Sequence, residues 1–173
     1  MSLERIKKYC ENIAIAIKWL TVLILVIIVC ESVCFMWQAL MPGKLNGFFN
    51  IFRIYAPFIS NIDNNALCLF ELAGSLFNNL FIFLMLHVSS RLFKKLAETV
   101  SLSTVTHELK AVSLLLIAES IAVPVLKTVC YTVFVKLPIP SGMFDLMPIT
   151  IGAILYFVAV IIQSKAVLKD DRE

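Results

Sequence analysis

Four long apolar stretches, separated by segments that hold most of the charge, dominate this chain. They cover approximately residues 13–37, 66–88, 111–135 and 146–162. Each is close to the ~17 to 25 residues that a helix needs to cross a bilayer at about 1.5 Å per residue. Apolar residues make up 60% of the 173 positions, whereas soluble domains contain roughly 45 to 50%. The sequence therefore predicts an integral membrane protein.

The expected fold class is all-α, because hydrocarbon offers no water to backbone polar groups and a helix satisfies them internally. We expect four transmembrane helices that form a single membrane domain over residues 1–173. Trp19 and Trp37 are 18 residues apart, which is about 27 Å along a helix. Each indole can therefore rest at one interface of the bilayer. The first stretch is too long for a signal peptide, so we expect it to be retained.

The basic residues predict the orientation, because Lys and Arg are enriched on cytoplasmic loops. With the N-terminus inside, three cations face outward and one, Lys127, lies within a span. The eleven others face the cytoplasm: Arg5, Lys7, Lys8, Lys18, Arg91, Lys94, Lys95, Lys110, Lys165, Lys169 and Arg172. This asymmetry predicts a multi-pass protein of the cell membrane (inner or plasma) with both termini cytoplasmic. Nothing in it indicates a nucleic-acid partner, which requires a clustered basic face on a folded domain.

The outer connection between the first two spans is too short for an independent hydrophobic core. Its residues 47–60 carry apolar side chains at helical spacing, with Pro57 limiting the length. We expect a short helix that lies in the outer headgroup region, and a re-entrant segment or a lid is the alternative. The apolar side chains are Phe48, Phe52, Tyr55 and Ile59.

The cytoplasmic connection, residues 89–110, is expected to extend the second and third spans as a helix-turn-helix excursion. Lys94 and Lys95 are expected to face water or anionic lipid. They form the candidate surface for a protein partner. The alternative is a solvated connector whose charges only determine the topology.

Polar residues inside the spans are the candidate functional residues, since an ionised side chain at the bilayer centre costs about 2.5 to 3.5 kcal/mol on insertion scales. Along the helices, Glu31, Glu71 and Lys127 are expected to lie in one layer towards the outer side. Glu119 is expected near the midplane, beside the Ser120 carbonyl, which Pro124 leaves without its helical hydrogen bond. The complete candidate cluster is Glu31, Glu71, Ser75, Asn78, Asn79, Glu119, Ser120 and Lys127.

Two interpretations of this cluster remain open. In the first, a hydrated cleft between the second and third helices conducts a cation or proton, with Glu119 as its carboxylate and Lys127 as an electrostatic gate. In the second, the cluster supplies a salt bridge and amide hydrogen bonds that fix the register of a small helix bundle.

Other chemistry has little support in the sequence. The five cysteines form no C-x-x-C motif, and we expect them to be unpaired packing residues, although a disulfide between outer-leaflet cysteines is conceivable. His87 and His107 have no companions at metal-ligand spacing. We therefore expect no metal site, no cofactor and no catalytic residue, and hence no enzyme.

The cytoplasmic excursion reads Arg91-Leu-Phe-Lys-Lys-Leu-Ala-Glu and continues through Ser103 and His107-Glu-Leu-Lys. A charged tail, Leu168-Lys-Asp-Asp-Arg, follows the fourth span. With four spans in this length, the chain resembles the YoaS-like bacterial membrane proteins of unknown function. The resemblance implies a bacterial inner-membrane location and a genetic association with a small transcription regulator. It carries over no catalytic residue.

The expected function is that of a non-enzymatic accessory or regulatory membrane protein. Its expected partners are the lipid bilayer and either another membrane protein or further copies of this chain. The alternative function is a small-solute or ion transporter, or a channel subunit, that uses Glu119 and Lys127.

Overall fold

The computed structural model describes residues 3–41, 65–99, 105–130, 132 and 146–170. This part of the chain contains four helices, which we number α1 (Leu3–Leu40), α2 (Asn65–Thr99), α3 (Thr106–Cys130) and α4 (Leu146–Asp170). Each is long and apolar enough to cross a membrane. The predictions of an all-α fold and of four apolar helices are confirmed to this extent. The predicted interfacial helix at 47–60 and the predicted end of the third span at 133–135 lie outside the described residues.

The helices extend past the apolar stretches at their charged ends. α1 has 38 residues, which is about 57 Å of helix and clearly more than a hydrocarbon core of about 30 Å. α2 continues through the basic segment to Thr99, and α3 starts at Thr106. The second and third helices therefore extend into the connection between them, as the sequence predicted.

The four helices pack in chain order. α1 contacts α2, α2 contacts α3, and α3 contacts α4. Within the part of the chain that the structure describes, no other pair of helices is in contact. α2 and α3 therefore each have two neighbours, whereas α1 and α4 each have one and leave most of their surface uncovered.

The interface between α1 and α2 follows a seven-residue repeat. On α1 the buried and half-buried side includes Cys10, Ile17, Ile24, Glu31 and Gln38. A sustained seven-residue repeat is typical of helices that cross at a shallow left-handed angle, because it keeps one stripe facing the partner. The two polar members, Glu31 and Gln38, belong to the C-terminal half of this stripe.

The interface between α3 and α4 depends on small residues. Gly152 and Ala159 on α4 are both buried, Ala159 completely, and they lie seven residues apart. A Cβ atom on Gly152 would come within 2.9 Å of the Ser113 carbonyl oxygen and 2.8 Å of Ile117 Cγ1. The two backbones approach closely here because Gly152 has no side chain, which is the packing mode that small residues permit between membrane helices.

Large apolar side chains cover the outside of the molecule. Trp19 is 71% exposed and Phe157 is 68% exposed, and many Leu, Ile and Val side chains of α1 and α4 are also exposed. Soluble monomers rarely expose contiguous apolar patches beyond a few hundred Å². This surface is therefore suited to contact with lipid chains or with other apolar helices.

Candidate functional site

The carboxylate of Glu31 is buried between α1 and α2. The Glu31 residue is only 5% exposed. The Ser75 hydroxyl donates a hydrogen bond of 2.6 Å to Oε1, and the Asn79 amide donates one of 2.8 Å to Oε2. Ser75 and Asn79 are one turn apart, so they share one face of α2. Both carboxylate oxygens of Glu31 thus accept hydrogen bonds from the neighbouring helix.

Lys127 on α3 reaches the other side of the same segment of α2. A Cβ atom on Gly74 would lie 3.3 Å from Lys127 Cε and 3.7 Å from Cγ. The alkyl chain of the lysine therefore passes over the space that Gly74 leaves open. Since Gly74 and Ser75 are consecutive, Glu31 and Lys127 approach one level of α2 from its two neighbouring helices.

The remaining residues of the sequence-derived cluster lie on α2 and α3. Ser120 is buried, and its hydroxyl donates a hydrogen bond of 2.8 Å to the Leu116 carbonyl of its own helix. Asn78 and Glu119 are half-buried. Glu71 lies on α2, one turn before Ser75, and its side chain is outside the described residues. The structure thus brings Glu31, Ser75 and Asn79 together directly, with Lys127 at the same level on the other side of α2.

This arrangement is suited to joining helices. A carboxylate that accepts two hydrogen bonds from separate side chains is fixed in orientation, and hydrogen bonds to a charged group are stronger than neutral ones.

Three cysteines, Cys10, Cys30 and Cys34, are free thiols. Across the described ranges, no three His, Cys, Asp or Glu residues are grouped closely enough to hold a metal ion.

A second polar contact joins the C-terminal end of α2 to the N-terminal end of α3. The Lys95 ammonium forms an ion pair with the Glu108 carboxylate, whose side chain is 9% exposed, whereas that of Lys95 is 49% exposed. Glu108 is in the first turn of α3, where a negative charge interacts favourably with the helix dipole. Lys94, by contrast, is exposed. The two lysines of the candidate partner surface therefore differ, since Lys95 is held by the fold and Lys94 faces outward.

Sequence reasoning missed the polar contacts between α3 and α4. The Lys110 ammonium donates a hydrogen bond to Gln163 Oε1 and lies 5.8 Å from the centre of the Tyr156 ring. Tyr156 and Gln163 are seven residues apart, as are Gly152 and Ala159. This seven-residue spacing could have indicated in the sequence that one side of α4 packs against another helix. It does not reveal which helix that is.

Comparisons with models of protein families, with curated proteins and with solved structures find no match to this chain.

Proposed function

We propose that the protein is a four-span protein of the cell membrane with both termini in the cytoplasm, and that it acts as a non-enzymatic accessory or regulatory subunit. The observation that carries the proposal is the packing of the helices in chain order. An open row of four helices has little interior in which to place a reaction or a permeation path. It has, however, two outer helices, α1 and α4, with broad apolar faces.

The environment of Glu31 supports this proposal. A buried carboxylate in a membrane helix is a functional candidate by default. Here the Ser75 and Asn79 side chains occupy both of its oxygens, so the carboxylate has a structural role in holding α1 against α2. The interpretation of the cluster as interhelical hydrogen bonding is therefore the one we adopt.

The partner-binding surface in this proposal combines an apolar helix face with the exposed cytoplasmic cation Lys94. The Lys95–Glu108 pair holds α2 and α3 together directly below the membrane, which would present Lys94 on a fixed support. Either a second membrane protein or further copies of this chain would bind to this surface. The resemblance to the YoaS-like proteins adds a bacterial inner-membrane location to the proposal.

We expect a Lys94→Glu variant to lose the partner. The protein is purified from membranes in mild detergent, and the bound proteins are identified and quantified by mass spectrometry. Reversing an exposed charge changes an interface without disturbing the fold, so the yield of the partner should fall at least several-fold while the yield of the protein is unchanged.

Two matched variants accompany this measurement. Lys8→Glu reverses an exposed charge elsewhere on the cytoplasmic side and should retain the partner. The exchange Lys95→Glu with Glu108→Lys preserves the ion pair and should retain a folded connection. A wild-type protein that elutes without any stoichiometric protein, including a second copy of itself, would contradict the proposed accessory role.

The alternative proposal is a transporter or channel subunit, and the position of Lys127 favours it. Its alkyl chain lies against Gly74 at the level of Glu31, so charged groups from α1 and α3 are close to one level of the membrane. Glu119 is on the same helix as Lys127, about two turns nearer the cytoplasmic side.

In this alternative, Glu119→Gln abolishes proton flux into proteoliposomes under an imposed membrane potential, followed with an enclosed pH-sensitive dye. The matched control is Glu98→Gln, since Glu98 is exposed on the cytoplasmic extension of α2. We expect equal flux in all three proteins, because the accessory role needs no path. Flux that depends on Glu119 would replace our proposal by the transport function.

A further inference from the structure

A shallow groove lies between α1 and α2, separate from the buried carboxylate. It has a volume of about 200 Å³ and is open to the outside. Its lining consists of Lys18, Thr21, Val22 and Leu25 from α1 with Phe83, His87 and Ser90 from α2. The described lining has no carboxylate.

The groove is polar at one end and apolar at the other. The two helices run antiparallel, and Ser90 donates a hydrogen bond of 3.4 Å to the Ala14 carbonyl. This register places Lys18 at the level of His87, and Val22 one turn further at the level of Phe83. Leu25 continues the apolar wall, and the His87 ring stacks on that of Phe83 with centroids 6.2 Å apart.

The direction of this polarity agrees with the expected topology. Lys18 is adjacent to Trp19, the tryptophan expected at the inner interface. The polar end is therefore at the depth of the cytoplasmic headgroups, and the apolar end is directed towards the bilayer centre. Arg91, one turn beyond His87 on α2, is exposed on the same side.

We propose that this groove is a binding site for one anionic phospholipid of the inner leaflet, with its phosphate at Lys18 and His87 and an acyl chain along Val22, Leu25 and Phe83. The proposal goes beyond the accessory role and rests on the membrane insertion and the cytoplasmic N-terminus that are proposed with it. An ammonium and a ring N–H match a phosphate group, while the Thr21 and Ser90 hydroxyls donate to the Ile17 and Ala14 carbonyls. Basic residues at the cytoplasmic surface attract anionic lipids.

The test uses the tryptophan beside the groove. In a Trp37→Phe variant, Trp19 is the single tryptophan, and lipids with brominated acyl chains quench its fluorescence on contact. The full-length protein is reconstituted in phosphatidylcholine vesicles that contain increasing amounts of brominated phosphatidylglycerol or, in parallel, brominated phosphatidylcholine. We expect phosphatidylglycerol to be preferred by at least roughly fivefold, the factor that corresponds to one cation near the surface.

Three further variants locate the preference. Lys18→Gln should lower the ratio of phosphatidylglycerol to phosphatidylcholine preference to about one. Lys8→Gln removes an equal charge from an exposed position on the same helix and should leave this ratio unchanged. Val22→Trp, combined with detection of the lipid by native mass spectrometry, should fill the groove and reduce the bound phosphatidylglycerol. Val22 is exposed, so this variant is expected to fold.

Equal quenching by both lipids in the parent protein would overturn the proposed site. An equal loss of preference in Lys18→Gln and Lys8→Gln would also overturn it, since the attraction would then be diffuse. Flotation of each proteoliposome on a density gradient shows whether the protein is inserted. A protein that floats with the vesicles but shows no lipid preference in the quenching measurement would contradict the lipid site in the groove. It would not contradict the accessory role.

Discussion

Gly152→Ala should lower the free energy of unfolding by about 2 kcal/mol, although alanine is the better helix former. The new Cβ atom would lie 2.9 Å from the Ser113 carbonyl oxygen, which belongs to the backbone of α3 and cannot rotate away. Overpacking of this kind costs about 1 to 3 kcal/mol, and α3 and α4 would also have to separate. The loss should appear in an SDS titration of the purified protein in mixed micelles.

Gly74→Ala provides a matched control for this prediction. It gives α2 the same gain in helix propensity, up to about 1 kcal/mol. Its Cβ atom would meet Lys127 Cε at 3.3 Å, and this end of a flexible side chain can shift. Gly74→Ala should therefore be neutral or slightly stabilising. Equal effects of the two substitutions would contradict the close approach of α3 and α4.

Removing the two donors to Glu31 should have the other large effect. In the double variant Ser75→Ala with Asn79→Leu, the Glu31 carboxylate stays between α1 and α2 without the hydrogen bonds that it now accepts. Leaving a buried acceptor without its donors costs about 1 to 3 kcal/mol, and more when the acceptor is charged. We therefore expect the same titration to report a loss of about 3 kcal/mol.

Adding Glu31→Leu to this double variant separates the lost hydrogen bonds from general damage to the interface. Replacing both sides of a buried polar contact by apolar groups is often nearly neutral, and leucine suits a stripe that already contains Ile17 and Ile24. The triple variant should regain most of the lost stability. A triple variant as unstable as the double variant would show that Glu31 does not depend on Ser75 and Asn79.

The presence of the helices was predictable from hydropathy and length, although α1 begins about ten residues before its predicted span and α4 ends about eight residues after its own. The apolar run that ends at Trp37 predicted α1, and the segment from Arg91 to Lys95 was predicted to extend α2 beyond its apolar stretch, as it does. These predictions succeed because the requirement to satisfy the backbone in hydrocarbon depends on each segment alone. They needed no knowledge of a neighbouring helix.

The rotation of each helix about its own axis was not predictable in this way. Gly74 and Ser75 are consecutive, yet Gly74 lies against α3 and Ser75 bonds to α1. Depth along the helix placed Glu31 and Lys127 in one layer but did not identify Asn79 as the second donor. Helices that are apolar all round carry little amphipathic signal, so the side chains that meet depend on close packing between helices.

The role of Gly152 and the pairing of Lys95 with Glu108 were hidden for the same reason. A single glycine in an apolar run does not reveal the Ser113 carbonyl that it approaches. The lysine and the glutamate are 13 residues apart across a connection whose path sets their distance. Both contacts are properties of two elements together.

The most direct test of the four-span topology is the labelling of single cysteines with a membrane-impermeant maleimide. The five native cysteines are replaced by alanine, and one cysteine is introduced at Met41, beyond the C-terminal end of α1, or at Lys94, near the C-terminal end of α2. In sealed vesicles with the outer face exposed, we expect the label at position 41 immediately and at position 94 only after permeabilisation. Labelling of both positions from the same side of an intact membrane would contradict the topology.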